Sequence, residues 1–278
     1  MGANPPNGAV IDFWLAKVPE GDVTLDVLDG EGRVVRAFTS RRPEAGALPS
    51  FEPAPATLTA KAGLNRLVWN VRRSPVVAVP GLFTFGFTQG RQALPGTYQV
   101  RLRAAGKTLT APLTVRMDPR VTTPMSDLTA QDTLGARVEA EVNEIHRGVI
   151  RLRAARTQVE DLMARAKGLD GADAIEKTGK ALVDRLNALE DELVQKRVVD
   201  GQTVINYPMR LNEFYLYLRG AIDDSQAGIT DGQQARLADL SERWQAQQKA
   251  LGAVLGDGVD EFNRLVRARN IPPVVVRK

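Results

Sequence analysis

Two hydrophobic periods divide this chain. Up to about residue 115, apolar and polar positions alternate, as in Val23-Thr24-Leu25-Asp26-Val27-Leu28 and Tyr98-Gln99-Val100-Arg101-Leu102. A step of two sends successive side chains to opposite faces of a strand. Past residue 118 the step changes: Val138, Val142, Ile145, Val149, Leu152 and Val159 recur at steps of three and four. That spacing is one stripe of a helix. The pattern predicts a β module followed by a helical module.

In the first module, strands are expected at 9–15, 23–28, 33–38, 63–71, 97–102 and 109–115. The strongest hairpin signal is Asp29-Gly30-Glu31-Gly32, a short turn between two alternating runs. Residues 40–56 carry Pro43, Pro49, Pro53 and Pro55; proline removes ladder donors, so a surface loop is expected there. Residues 74–96 read as loop, yet hold Phe83, Phe85 and Phe87 at period two. About seven short strands with Gly/Pro turns indicate an antiparallel β-sandwich.

In the second module, Ser126 is the expected N-cap of a helix over 126–167, about 60 Å long. A second helix carries Ile175, Leu182, Leu186, Leu189 and Leu193. A third starts at Pro208 and ends at Gly228, and a fourth is capped by Thr230 or Asp231. Gly256 to Gly258 is the expected break before a short helix holding Phe262, Leu265 and Val266. Long helices with short joints favour an antiparallel bundle. The fold class expected is α+β multidomain: linker 1–8, sandwich 9–118, linker 119–125, helical bundle 126–272 and tail 273–278.

Composition adds exclusions. A chain of 278 residues, 43% hydrophobic, suits two domains with real cores, and the zero cysteine count removes disulfides and thiolate chemistry. No apolar run reaches the ~18 residues of a membrane span. The start, Met1 to Gly8, lacks the basic and apolar regions of a signal peptide and reads as a linker. The first 118 residues hold 14 Lys+Arg against 9 Asp+Glu, so the basic excess lies in the β module. It is spread over Arg41, Arg42, Arg72, Arg73, Arg91, Arg101 and Arg103 without interleaved aromatics, which argues against a nucleic-acid groove.

Candidate chemistry is sparse. The one histidine, His146, lies beside the Val142/Ile145/Val149 stripe and is expected at the surface or bundle edge. Glu190, Asp191 and Glu192 are adjacent on a helix and read as a solvated face, and Asp223-Asp224 sits near a helix end. No phosphate loop, dinucleotide fingerprint, nucleophile elbow or calcium loop occurs. No catalytic residue, metal site or cofactor is assigned. Trp69 and Tyr98 are expected in the core. Phe83, Phe85 and Phe87 are either core or an exposed docking patch. Together with Trp14 they form the candidate binding residues.

Three stretches carry a resemblance: Gly63-Leu64-Asn65-Arg66-Leu67-Val68-Trp69-Asn70-Val71-Arg72, Leu94-Pro95-Gly96-Thr97-Tyr98-Gln99-Val100-Arg101-Leu102 and Pro112-Leu113-Thr114-Val115-Arg116-Met117-Asp118-Pro119. With Asn206-Tyr207-Pro208-Met209-Arg210-Leu211-Asn212 and Asp260-Glu261-Phe262-Asn263-Arg264-Leu265, they resemble the carboxy-terminal region of bacterial sortilin-like BNR (Asp-box) propeller proteins, labelled glycosyl hydrolases. The β part is similar to the Ig-like domain of flagellar hook-capping proteins. The resemblance implies an extracytoplasmic, non-catalytic accessory region that supports or docks a β-propeller of the same or a partner polypeptide. No Asp box (Ser-x-Asp-x-Gly-x-x-Trp) is present, so no catalytic residue carries over. The alternatives are a carbohydrate-binding module using Trp14 with the Phe83 to Phe87 stretch, with a glycan as partner, and an autonomous glycosidase built on clustered carboxylates.

Overall fold

The computed structural model describes residues 6–41, 57–224, 226–269, 271 and 274–276. The elements in order are β1 (Ala9–Leu15), β2 (Thr24–Leu28), β3 (Val34–Thr39), β4 (Gly63–Trp69), β5 (Gly96–Ala104), β6 (Lys107–Val115), α1 (Met125–Ala166), α2 (Ala172–Leu193), α3 (Leu211–Asp223), α4 (Asp231–Ala253) and α5 (Val259–Arg267). The chain is α+β with antiparallel sheets. The four prolines expected in a surface loop, the first five residues of the expected linker and half of the expected tail lie outside the described residues.

Two sheets share one core. One has the order β3-β2-β5-β6 and the other is β1-β4, with every pairing antiparallel. The β2–β3 turn is held by Asp29, whose Oδ1 accepts from the backbone N–H groups of Glu31 at 3.0 Å and Arg33 at 2.9 Å. The β5–β6 turn is the two-residue pair Ala105-Gly106, with φ of 48° and 73°, the doubly positive geometry whose twist matches a hairpin. No strand forms at Phe83, Phe85 and Phe87: period two alone does not make a strand without a neighbour to pair with.

Between the sheets, Trp69 is fully buried and meets Tyr98 edge-on at 5.6 Å. The Tyr98 hydroxyl donates to Leu94 O at 2.6 Å, and Trp69 Nε1 donates to Arg72 O at 2.8 Å, so both polar tips are satisfied in the core. The small sheet is placed by its ends. Leu58 N donates to Thr39 O at 3.1 Å before β4, and Ser74 N donates to Val35 O at 2.9 Å after it. Both contacts fall on β3, so β4 lies along that side and β1 lies on the β6 side. Burial agrees: Asn65, Leu67 and Trp69 of β4 are buried, while Ile11 and Phe13 of β1 are half-buried.

The helical module is organised by α1, whose 42 residues extend about 63 Å. Hydrogen bonds fix the directions. Arg153 reaches Glu190 and Arg156 reaches Asn187 on α2, and His146 and Glu139 reach Asn212 and Arg219 on α3, so both run antiparallel to α1. Glu141 and Glu144 reach Ser241 and Trp244, so α4 runs parallel to it. The core stripe of α1 is Val138, Val142, Ile145, Val149, Leu152 and Val159, all at or below 1% exposure.

Several boundaries differ from the sequence expectation. The N-cap of α1 is Pro124 rather than Ser126. Pro208 precedes α3 without starting it; its carbonyl accepts from Gln195 Nε2 at 2.9 Å, which holds the connector against the end of α2. Helix α3 ends at Asp223, before Gly228. Thr230 caps α4 in a reciprocal pair with Gln233, at 2.9 and 3.2 Å. The expected break at Gly256–Gly258 is instead a π turn, Val254–Gly258, that carries α4 into α5 without leaving helical backbone geometry. Packing also crosses the expected domain limits. Val76, Val79 and Leu82 belong to the helical core. Val274 is buried against Asn263, with hydrogen bonds of 2.7 and 2.9 Å.

Candidate functional site

Between β4 and β5 the chain folds back on itself and lies on the helices. Ala93 N donates to Val71 O at 2.8 Å, Arg73 N to Arg91 O at 2.9 Å and Val76 N to Thr88 O at 3.0 Å. The segment between these pairs presses its apolar residues into α1 and α3, and this placement settles the phenylalanines. Phe83 is buried at 3% exposure. The Phe85 ring lies 6.2 Å from that of Tyr217 on α3. Phe87 is half exposed, with its ring over Gly220 on α3, where a Cβ would meet ring carbon Cδ2 at 2.1 Å. Phe83 is therefore buried, while Phe85 and Phe87 lie against α3 with Phe87 still half exposed.

Beneath these rings runs a network of charge. Arg91 Nε donates to Asp132 at 2.6 Å, and its Nη1 reaches Glu139. Glu139 also accepts from Arg91 N at 2.7 Å and from Arg219 Nε at 3.1 Å. Asp223 accepts from Arg72 and from Gln92 N at 3.0 Å. Arg219 is 1% exposed and also donates to Phe87 O. Burial works against the Arg91 guanidinium, but Glu139 and Asp132 outweigh it and hold its pKa above the ordinary value. Each of Asp132, Glu139 and Asp223 is opposed by at least two guanidiniums. The chemistry available here is rigid attachment of one module to the other. The cleft beside the network, about 40 Å³, has room for a few waters and not for a sugar ring.

Two further ties cross the same seam. Glu190 is fully buried, with Arg153 Nε and Arg156 Nη1 each at 2.6 Å, and Arg153 Nη1 donates to Pro80 O at 2.6 Å. This corrects the solvated-face expectation for Glu190, whereas Asp191 and Glu192 are exposed. His146 is 1% exposed, not at a surface. Its Nδ1 lies 2.5 Å from Val77 O and its Nε2 lies 3.2 Å from Asn212 Nδ2. Those partners fit a neutral ring that donates from Nδ1 and accepts at Nε2. Burial pushes the imidazole pKa down, against the pull of the Val77 carbonyl.

Sequence reasoning missed other perturbed groups. Glu213 is buried near the start of α3, where burial pushes its carboxyl up to about 7 against the hydrogen bond from Arg210 N. Burial, then the bond to Glu141, raises the Tyr215 hydroxyl. Neither residue lines the cleft at the seam or the shallow groove of about 360 Å³ between α2 and the π turn. The only signal for them was their place in the apolar run of α3.

The free surface lies elsewhere. On the outer face of the small sheet, cross-strand register stacks Val10 on Val68, Asp12 on Arg66 and Trp14 on Leu64. Trp14 is 71% exposed, Leu64 54% and Val10 42%. Arg66 grips Asp12 with two bonds of 2.8 Å, and this hydrogen bonding holds the Asp12 carboxyl below its ordinary value. Trp14 sits at the end of β1 away from Trp69 and the seam, so the structure does not bring it together with Phe83, Phe85 and Phe87. The strands expected at 9–15 and 63–71 gave each half of this face; the register that joins them was not readable.

Among the described residues no group of His, Asp or Glu is arranged to hold a metal ion. No described helix is long and apolar enough to cross a membrane. No family model, curated protein or solved structure matches the chain.

Proposed function

We propose that this chain is a non-catalytic accessory region, an Ig-like sandwich with a helical bundle, that docks a sortilin-like β-propeller of the same or a partner polypeptide outside the cytoplasm. The observation that carries this reading is the outer face of β1 and β4. A large indole stands exposed there, flanked by Leu64 and Val10, on a module locked to its helices by buried charge. Exposed apolar area gains roughly 25 cal/mol per Å² when covered, and aromatic residues supply much of the energy at protein interfaces. The helical module then acts as a rigid spacer. The experiment is titration of a recombinant sortilin-like propeller with this chain and with Trp14→Ala. Saturable binding, weakened at least tenfold by the substitution, is expected. No association even when the two are tethered, or equal binding by the variant, overturns the reading.

The same indole supports a second reading, a carbohydrate-binding module. Trp14 offers a ring for a sugar, and the neighbouring Asp12 and Arg66 offer acceptors and donors for hydroxyls. Glycan-array binding lost on Trp14→Ala, with no affinity for the propeller, moves the conclusion to this class.

A further inference from the structure

The two sheets form an incomplete enclosure. Going round it, β6, β5, β2 and β3 are hydrogen-bonded in sequence, the chain on either side of β4 bonds to β3, and β4 pairs with β1. Among the described residues, no backbone hydrogen bond bridges the remaining seam, between β1 and β6. Its floor is apolar. Leu109, Ala111 and Leu113 stand opposite Leu102, Val100 and Tyr98, so they point to the core side of the sheet. Yet Leu109 is 66% exposed, Ala111 is exposed and Leu113 is only half-buried. On the other wall, Ile11 and Phe13 are half-buried. The partner sheet leaves that apolar inner strip of β6 uncovered.

The two edges that flank the gap are unlike. The tight β5–β6 turn puts Pro112 in a pair whose backbone groups point away from β5, so the middle of the β6 edge has no N–H to offer. Such a proline blunts an edge. Strand β1 has no proline, and among the described residues no backbone hydrogen bond reaches its outer edge. The rim is basic at both ends. Because Trp69 pairs with Ala9 and packs on Tyr98, the Leu15 end of β1 lies by the β5–β6 turn. Lys17 and Lys107 are exposed at that end and Arg116 at the other, and none of them is in an ion pair among the described residues.

We infer that the outer edge of β1 accepts one extended segment of a partner polypeptide, with apolar residues at alternate positions and acidic residues at its ends. Backbone bonds to β1 supply the ladder, inward side chains cover Leu109 and Leu113, and the flanking acids meet Lys17, Lys107 and Arg116. The site uses the strand edge and inner strip, not the outward Trp14 face, so it stands whether or not a propeller is bound there.

The test uses the full chain and a short capped peptide in which valine and threonine alternate between terminal glutamates. Titration calorimetry and amide hydrogen exchange are the readouts. Saturable binding is expected, with exchange at 9–15 slowed at least tenfold and binding weakened by salt. Leu109→Asp, at a site too exposed to disturb folding, and the charge reversal Arg116→Glu should each lower affinity at least tenfold. A peptide N-methylated at alternate amides should not bind. No saturable binding, protection at 107–115 instead of 9–15, equal binding of the N-methylated peptide, or indifference to Leu109→Asp overturns the inference.

Discussion

The two ends of the β1–β4 sheet are built from opposite materials. Where the chain leaves Trp69, the surface is closed by buried guanidinium–carboxylate pairs and by phenylalanines laid on α3. At the Trp14 end, the surface is an open apolar face with one exposed ion pair at its centre. Charge is used where water is excluded, and apolar area is left where water is present, the reverse of ordinary surface design. A buried ion pair adds little net stability, but breaking one leaves a stranded charge, so such a joint is unforgiving of change. A solvated pair is forgiving. The joint therefore fixes how the modules sit, and the open end is free to meet something else.

The largest break in this contrast is Arg219→Ala. It removes one of the two guanidiniums on Glu139 and the side-chain donor to the Phe87 carbonyl from a buried site and should cost about 3–5 kcal/mol by denaturant unfolding, with faster amide exchange across 82–90. Next is Gly220→Ala, which drives a methyl into the Phe87 ring and should cost about 1–3 kcal/mol. In a Phe87→Ala background the same change should become neutral or stabilise by up to ~1 kcal/mol, because alanine is the better helix former. If the penalty persists in that background, the ring contact is not its cause.

Acidity gives a third test. The folded pKa of Glu213, about 7, lies above the ordinary glutamate value of 4.5. Its contribution to stability is therefore fully present below 4.5 and lost as pH rises through 7. His146 has the opposite sign: its folded pKa lies below 6.5, so its contribution is present above 6.5 and lost as pH falls through the folded value. Glu213→Gln keeps an acceptor for Arg210 N and should remove a loss of about 3 kcal/mol between pH 4.5 and 8, so that its unfolding free energy rises with pH where the parent's falls or stays level. A variant with the parent's pH profile excludes Glu213 as the source. The smallest effect is at the open end: Trp14→Ala should change unfolding free energy by no more than about 0.5 kcal/mol. A larger loss would mean that the indole belongs to the core.

Much of this architecture was legible because it is local. Alternation marked β2, β4, β5 and β6, the Asp29–Gly32 turn marked β3, and the three-and-four spacing marked the buried stripe of α1. What escaped was set by partners distant in sequence. Val76, Val79 and Leu82 sit among prolines with no strand or helix period, and only α1 and α3 explain them. His146 read as an edge residue because its partners, Val77 and Asn212, lie about 70 positions away. Glu190 looked like its exposed neighbours Asp191 and Glu192, since adjacency on a helix hides which side faces Arg153 and Arg156. The candidate face suffered the same way: Trp14 was visible, but Leu64 and Arg66 joined it only through the β1–β4 register.

The π turn at Val254–Gly258 carries a last consequence. Apolar anchors there run Leu251, Val254, Val259, Phe262 and Val266, and the step of five at Val254 to Val259 is one residue more than an α-helix allows on one face. That surplus residue lets one continuous rod serve two neighbours, with α4 seated on α1 and α3 and α5 seated on α2. Winding the same residues as a plain α-helix, without the π turn, would swing Phe262 and Val266 about 100° round the axis toward water. Here the geometric defect is what keeps the last two anchors dry.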